Sequence, residues 1–243
     1  MNIYYIALPS EHDRRANIES WLSNTPFKFS WVPAKTGADD IDCVYSEHDR
    51  LRRFGFPMSG PEIGCFLSHR ECWRRVVDSN EISLILESDA APADFGNLME
   101  SLTIIETPEL VSRYDLVRLA GVFPKNEKFP RTIAHVGQSN LLQFLGDPMG
   151  SAAYVVKPLG ARKLLQFSQR FFVPVDVYLG STWLHRLRVR SLRPYPIETA
   201  YFDSIIGDRR RPRQTRMERL KIELARAWDD IRRVLYIPVD YFR

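Results

Sequence analysis

Glu87-Ser88-Asp89 follows the apolar run 82–86 and places two carboxylates one residue apart. Alternation along an extended chain puts both on one side. Two hard oxygen ligands so arranged suit Mg²⁺ or Mn²⁺, which also take phosphate oxygens. A diphosphate leaving group needs that neutralisation. Two acids by themselves read more readily as a solvated turn after a buried strand. Further along, Asp176 sits in the apolar stretch Val173-Pro174-Val175-Asp176-Val177. A charge there needs a partner or a task, and capping the following helix is one such task. Cys65, Ser68, His69 and Cys72 share one predicted helix, with Cys65 and His69 four apart on one face. A Cys-His nucleophile would need a third orienting group, which the spacing does not supply. The Cys/His spacing fits no familiar zinc pattern, so the thiols read as small buried hydrophobes and His69 as a satisfied histidine. Arg14 and Arg15 open the first predicted helix, where basic residues oppose the macrodipole. Diphosphate binding and a surface ion pair are the two readings for them.

These residues need elements to position them. A strand is expected over 2–7, then a helix over 11–22 started by a Ser10/Asp13 capping box. Phe27, Phe29 and Trp31 alternate with polar residues as a second strand. Residues 35–42 read as a loop, and 47–54 as a short helix stopped by Gly55. Ser59, Pro61 and Glu62 announce a helix whose apolar spacing runs from Ile63 to Val77. The strand 82–86 then delivers Glu87. A helix over 95–105, a strand over 115–119 and a surface loop over 124–131 come next. Strands 140–145 and 152–156 are expected to pair around Gly146–Gly150. A helix over 160–167 and an extended 171–175 lead to Asp176 and a short helix. The basic run 209–216 precedes an amphipathic helix over 217–235, with Leu220, Leu224, Ala227, Ile231 and Val234 on one face. Alternating strands and helices imply an α/β layer structure, in which ligands bind beyond the carboxyl ends of the strands. Glu87-Ser88-Asp89 stands at that edge.

The 243 residues are ample for one large domain, and 44% hydrophobic with 26% charged residues is ordinary globular composition. Three cysteines form no CxxC pair, which argues for a reducing compartment. No apolar run reaches the roughly 20 residues of a membrane span. The opening residues do not read as a signal peptide, so a cytoplasmic location is expected. Residues 204–243 carry 11 Lys and Arg against 6 Asp and Glu, while the rest is close to neutral. A nucleic-acid enzyme more often spreads positive charge over its working face, so no nucleic-acid partner is expected. GxGxxG, P-loop, HExxH and GxSxG motifs are all absent.

The order of these blocks resembles glycosyltransferase family 25, the lipopolysaccharide-biosynthesis galactosyltransferase family, which also includes collagen galactosyltransferases. Ile6-Ala7-Leu8 followed by Asp13-Arg14-Arg15 is similar to its opening. Glu62-Ile-Gly-Cys-Phe-Leu-Ser-His69, with Trp73 after it, is nearly the family's wording. Leu84-Ile-Leu-Glu-Ser-Asp-Ala90 resembles its acidic segment. Gly150-Ser-Ala-Ala-Tyr154, Gly160–Leu165 and Pro174–Val177 resemble its later blocks. Ser88 stands where the family has a middle acid, and Ala7 where it has an asparagine near the nucleotide base.

The resemblance covers about residues 2–200. It implies an A-type glycosyltransferase fold, a Rossmann-like mixed sheet flanked by helices. The expected organisation is a catalytic domain over 1–203 and a basic helical tail over 204–243. The implied reaction moves a sugar, with inversion, from a UDP-sugar (UDP-galactose expected) to a hydroxyl of a lipooligosaccharide or similar lipid-linked glycan. Mn²⁺ or Mg²⁺ would sit under the diphosphate, held by Asp89 with Glu87. Asp176 is the implied general base, and Leu8, Arg14, Ser68, His69, Glu87 and Ser88 the implied donor-binding residues. The alternative, prompted by Ser88 and Ala7, is a member that binds nucleotide sugar or glycan without turning it over. The tail over 209–235 would touch an anionic membrane peripherally or pack its apolar stripe on the core.

Overall fold

A computed structural model describes residues 1–36, 44–121, 127–146, 149–199 and 215–236. Cys43, most of the 35–42 loop and the run 209–214 lie outside the described residues.

The chain opens with β1 (Asn2–Ala7), α1 (His12–Leu22) and β2 (Lys28–Pro33). β1 is apolar enough to be buried on both faces, and it pairs in parallel with β2. Helix α1 starts differently from the reading above. Glu11 occupies the cap position and no side chain caps the helix, so Ser10 has no such role. The Glu11 carboxylate instead turns back to accept from the Leu8 N–H at 2.7 Å.

Helix α2 (Glu47–Phe54) is capped by Ser46 and ends at Gly55, which sits at φ 79°, where a Cβ would be strained. Helix α3 (Gly60–Ser79) has the full Ser59/Glu62 capping box and a proline in its first turn. Its inward face, from Ile63 through Phe66 and Trp73 to Val76, is buried. β3 (Ser83–Glu87) pairs in parallel with β1, with Ile6 opposite Glu87. β4 (Ala90–Pro92), α4 (Phe95–Ile105), α5 (Pro108–Val111) and β5 (Leu116–Arg118) follow.

After β6 (Arg131–Val136) come β7 (Ser139–Gln143) and β8 (Ala153–Val156). The expected pairing of 140–145 with 152–156 is wrong. β7 pairs with β6 on one side and, through residues 140–142, with β9 (Val189–Arg193) on the other. β8 inserts antiparallel between β3 and β5. Its four residues are all buried, as a strand in the middle of a sheet requires, and a hairpin partner at the edge would leave it half exposed. Helices α6 (Pro158–Phe167), α7 (Val175–Gly180) and α8 (Thr182–His185) lie between β8 and β9, and β10 (Ile197–Thr199) pairs with β4.

The result is an eight-stranded mixed sheet in the order β2-β1-β3-β8-β5-β9-β7-β6, with helices on both faces. One core layer joins Tyr5, Leu84 and Leu86 to α1 and α4. The other joins Tyr4, Ile6 and Ile85 to α3, α6 and α7. Period-two alternation therefore sends Glu87 to the α3 side, one step beyond Ile85.

The last helix, α9 (Arg216–Leu235), rests on α2 and α8, with Ile222 buried and Arg53 paired to Asp229. The stripe that could have packed on the core does not. Leu220, Leu224, Ala227 and Ile231 are exposed, as are Met217, Trp228 and Leu235. The side chain of Val234 lies outside the described residues. No helix among the described residues is long and apolar enough to cross a membrane.

Candidate functional site

The carboxyl edge of β3 is where sequence-distant polar groups converge. Glu87 leaves the strand on the α3 side and meets His69, whose Nε2 lies 3.3 Å from Oε1. Ser151 donates to the same oxygen at 2.5 Å. The register of β3 and β8 explains this contact, since Leu86 faces Ala153 and the Glu87 N–H bonds to Ala152 O. Burial opposes the Glu87 charge, but the hydrogen bonds from His69 and Ser151 hold its carboxyl below the usual range.

His69 is fully buried and both its ring nitrogens are used. Nδ1 lies 2.8 Å from the Tyr154 hydroxyl, which also accepts from Trp73 Nε1 at 2.8 Å. Trp73 can only donate, so the tyrosine proton is free to point at Nδ1, leaving Nε2–H to donate to Glu87. The chain of bonds runs Trp73, Tyr154, His69, Glu87, and it aims the carboxylate from behind.

Asp89 lies past the end of the strand, in the turn before β4. The simple alternation that placed both acids on one side stops at Glu87, yet the two carboxylates still feel each other. Burial and then the charge of Glu87 raise the Asp89 carboxyl to about 6. Its Oδ1 is buried with no hydrogen-bond partner among the described residues. An orphaned carboxylate oxygen beside a second carboxylate is expensive unless a cation joins them. The residues present thus fit the hard divalent cation that an acid-x-acid segment implies.

A second cluster forms around Glu11. Leu8 donates through its N–H, Arg14 pairs with Oε1 at 3.2 Å, and Ser88 Oγ approaches both carboxylate oxygens at 3.4 Å. Leu8, Arg14 and Ser88 are therefore brought together, by a glutamate that had been read only as the start of a helix. Arg15 parts company with Arg14: its guanidinium stacks on Trp31, 3.6 Å from the ring centroid. Asp89 feels Arg14 and Glu11 as well as Glu87, so it joins the two clusters.

Ser68 is also fully buried, and its hydroxyl is occupied by Gly64 O and the Lys35 N–H. It pins the segment after β2 to α3. Asp176 sits in the first turn of α7 and accepts from the Val177 N–H at 2.8 Å. Tyr178 and Leu179 of α7 pack against Phe66 and Trp73, which carries Asp176 toward the site. The Cys65 thiol records the convergence, since burial and then the charges of Glu87, Asp176 and Asp89 push it well up. Cys72 is buried on the α3 core face, as a small hydrophobe. Arg118 of β5, fully buried, donates to Gly150 O and braces the turn that presents Ser151.

The chain is a mixed α/β protein that gathers carboxylates, a cationic side chain and backbone turns at the ends of its parallel strands, the edge where open α/β sheets bind ligands. The family model described as "Glycosyltransferase family 25 (LPS biosynthesis protein)" matches residues 1–179, and the chain belongs to that family. Curated relatives called "Glycosyltransferase 25 family member" include one from Drosophila pseudoobscura pseudoobscura, 24% identical across 79% of this chain and 32% of its own length. One from Aedes aegypti is 25% identical across 79% of this chain and 33% of its own. One from Anopheles gambiae is 28% identical across 56% and 24%. The chain thus spans about a third of the length of the first two of these relatives. Among solved structures, "Crystal Structure of A197 from STIV" covers 83% of this chain and 86% of its own at 15% identity. Its TM-score is 0.41, and that likeness carries no argument.

Proposed function

We propose that the chain is a nucleotide-sugar-dependent glycosyltransferase, a hexosyltransferase that moves galactose from UDP-galactose to a glycan hydroxyl with inversion. The observation that carries this reading is the Asp89 carboxylate, with its partnerless Oδ1, held within the field of Glu87 at the carboxyl edge of the sheet. Asp89 and Glu87 would hold Mn²⁺ or Mg²⁺. When bound, the cation neutralises the charge that develops on the leaving diphosphate. Arg14 adds positive charge on the Glu11 side of the same site. Leu8, Ser88 and Glu11 shape the loop against which the nucleotide rests, while Ser68 and His69 support it from α3. Asp176 takes the acceptor proton as the new bond forms, which a single in-line displacement requires.

The tail supports an acceptor that is lipid-linked, as in lipopolysaccharide, and a peripheral position on the cytoplasmic side of an anionic membrane. Its exposed apolar stripe runs beside exposed Arg216, Arg219, Lys221 and Arg232.

A thermal-shift titration with a panel of nucleotide sugars, with and without Mn²⁺, tests the reading. Metal-dependent stabilisation by UDP-galactose, followed by transfer to a glycan acceptor, is the expected result. Binding without transfer or donor hydrolysis would identify a non-catalytic binder, and no stabilisation by any donor would overturn the proposal.

A further inference from the structure

Cys65 and His69 stand one turn apart on α3, and Glu87 ends β3 beside them. One donor atom from each of the three residues lies within 4.8 Å of the other two. Cys65 and Glu87 are partly exposed residues, while His69 closes the triad from within. Binding an ion needs only a small contraction of the three side chains, two of which already meet in the His69–Glu87 hydrogen bond.

The donor set determines which ion. Mg²⁺ and Mn²⁺ prefer oxygen ligands throughout, whereas sulfur, imidazole and carboxylate together suit Zn²⁺. Three protein ligands with one position left open is the pattern of reactive zinc sites rather than closed structural ones. The outer partners are also in place. A histidine that ligates through Nε2 must donate its other N–H, and the Tyr154 oxygen lies 2.8 Å from Nδ1. That oxygen has two lone pairs, one for Trp73 Nε1–H and one for Nδ1–H. The protons balance: the imidazole keeps one, now on Nδ1, the Tyr154 hydroxyl rotates, and the thiol releases its proton to solvent.

We propose that Cys65, His69 and Glu87 form a binding site for a zinc-class ion, separate from the Glu87–Asp89 pair and sharing Glu87 with it. Neither the spacing of the α3 residues nor the acidic segment could show this site, because its third ligand arrives from another element.

The test uses the full chain, stripped of metal by chelation and titrated with Co²⁺ as a spectroscopic stand-in for Zn²⁺. A thiolate-to-cobalt charge-transfer band with d–d bands of four-coordinate intensity is expected, and both should vanish when Zn²⁺ is added. Cys65→Ser should lose the charge-transfer band, while Cys72→Ser should keep it, because Cys72 lies outside the triad. Tyr154→Phe should keep the band and bind about 10–100-fold more weakly, as loss of an outer-shell partner does. A wild-type chain with no charge-transfer band, or a band that survives Cys65→Ser, would overturn the site. None of these readouts involves a donor sugar, so they stand or fall separately from the transferase reading.

Discussion

At the scale of single residues, the two acids of the β3 edge are driven apart in protonation. Glu87 is held down by donors and Asp89 is lifted to about 6 by burial and by Glu87. A raised carboxyl binds its proton more tightly in the folded chain than in the unfolded one. Its ionisation therefore costs stability as pH rises from about 4 to about 6, and only the ionised form can hold a cation. Mn²⁺ affinity, measured by calorimetry, should fall as pH drops through about 6, and Asp89→Asn should flatten that dependence. Asp89→Ala should lower transfer by about a hundredfold or more, and at neutral pH without metal it should raise the melting temperature, because the buried charge that costs stability is gone. Wild-type turnover in that variant would remove Asp89 from the metal site. Of the candidate site residues, Glu87 and Asp89 were singled out because acids after a buried strand are a local pattern, and His69 only through the family resemblance. Glu11, Ser151 and Arg118 were not, since each acquires its role from a partner far away in sequence.

Elements position these groups through a few polar clamps. Asp115, almost fully buried just before β5, accepts from the N–H, Nε and Nη2 of Arg188 at 2.9–3.2 Å and pairs with Lys157 at 3.4 Å. The clamp ties the entry of β5 to the entries of β9 and α6. Burial opposes the aspartate charge, but these donors hold its carboxyl below the usual range. Asp115→Ala leaves an arginine and a lysine without their counter-charge and should cost about 3 kcal/mol in denaturant unfolding. A loss under about 1 kcal/mol would mean that solvent replaces the clamp. Helix α9 raises a different question, since its exposed apolar residues recur at three- and four-residue steps from Met217 to Leu235. Anionic vesicles should carry the full chain in flotation, and deletion of residues 209–243 should abolish this while the body remains folded. A truncated protein that still floats would place the membrane contact elsewhere.

For the whole molecule, a buried histidine is expected to contribute to the acid response. His185 of α8 is fully buried, with Nδ1 accepting from the Leu187 N–H at 3.2 Å and Nε2 facing Leu179 O at 3.3 Å. Protonating Nδ1 would break the Leu187 bond, and burial lowers the imidazole from 6.5 to about 4. The unfolded chain therefore binds a proton that the folded chain refuses. The His185 contribution to stability is full above about pH 6.5 and declines by about 3 kcal/mol as pH falls to about 4, opposing the Asp89 contribution, which grows over nearly the same window. In an Asp89→Asn background, urea midpoints across that window should show the decline, and adding His185→Asn should flatten it. An equal decline in the variant would assign the acid sensitivity to other groups.

The helices α2 and α4 coincide with their expected spans because caps, a stop glycine and 3.6-residue periodicity are local signals. The strands β1 and β3 were legible for the same reason, as short apolar runs between turns. The strands β6, β9 and β10 were not: β6 is an edge with little buried side chain, and β9 begins and ends its buried residues among arginines. By itself the sequence determined an α/β protein with acids at a strand end, because those facts are written in neighbouring residues. Tertiary structure alone decided that β8 separates β3 from β5, that Ser151 and His69 share Glu87, and that the α9 stripe faces outward. Pairing across a sheet and packing across a core join residues tens of positions apart, and only the closed fold brings them within hydrogen-bond reach.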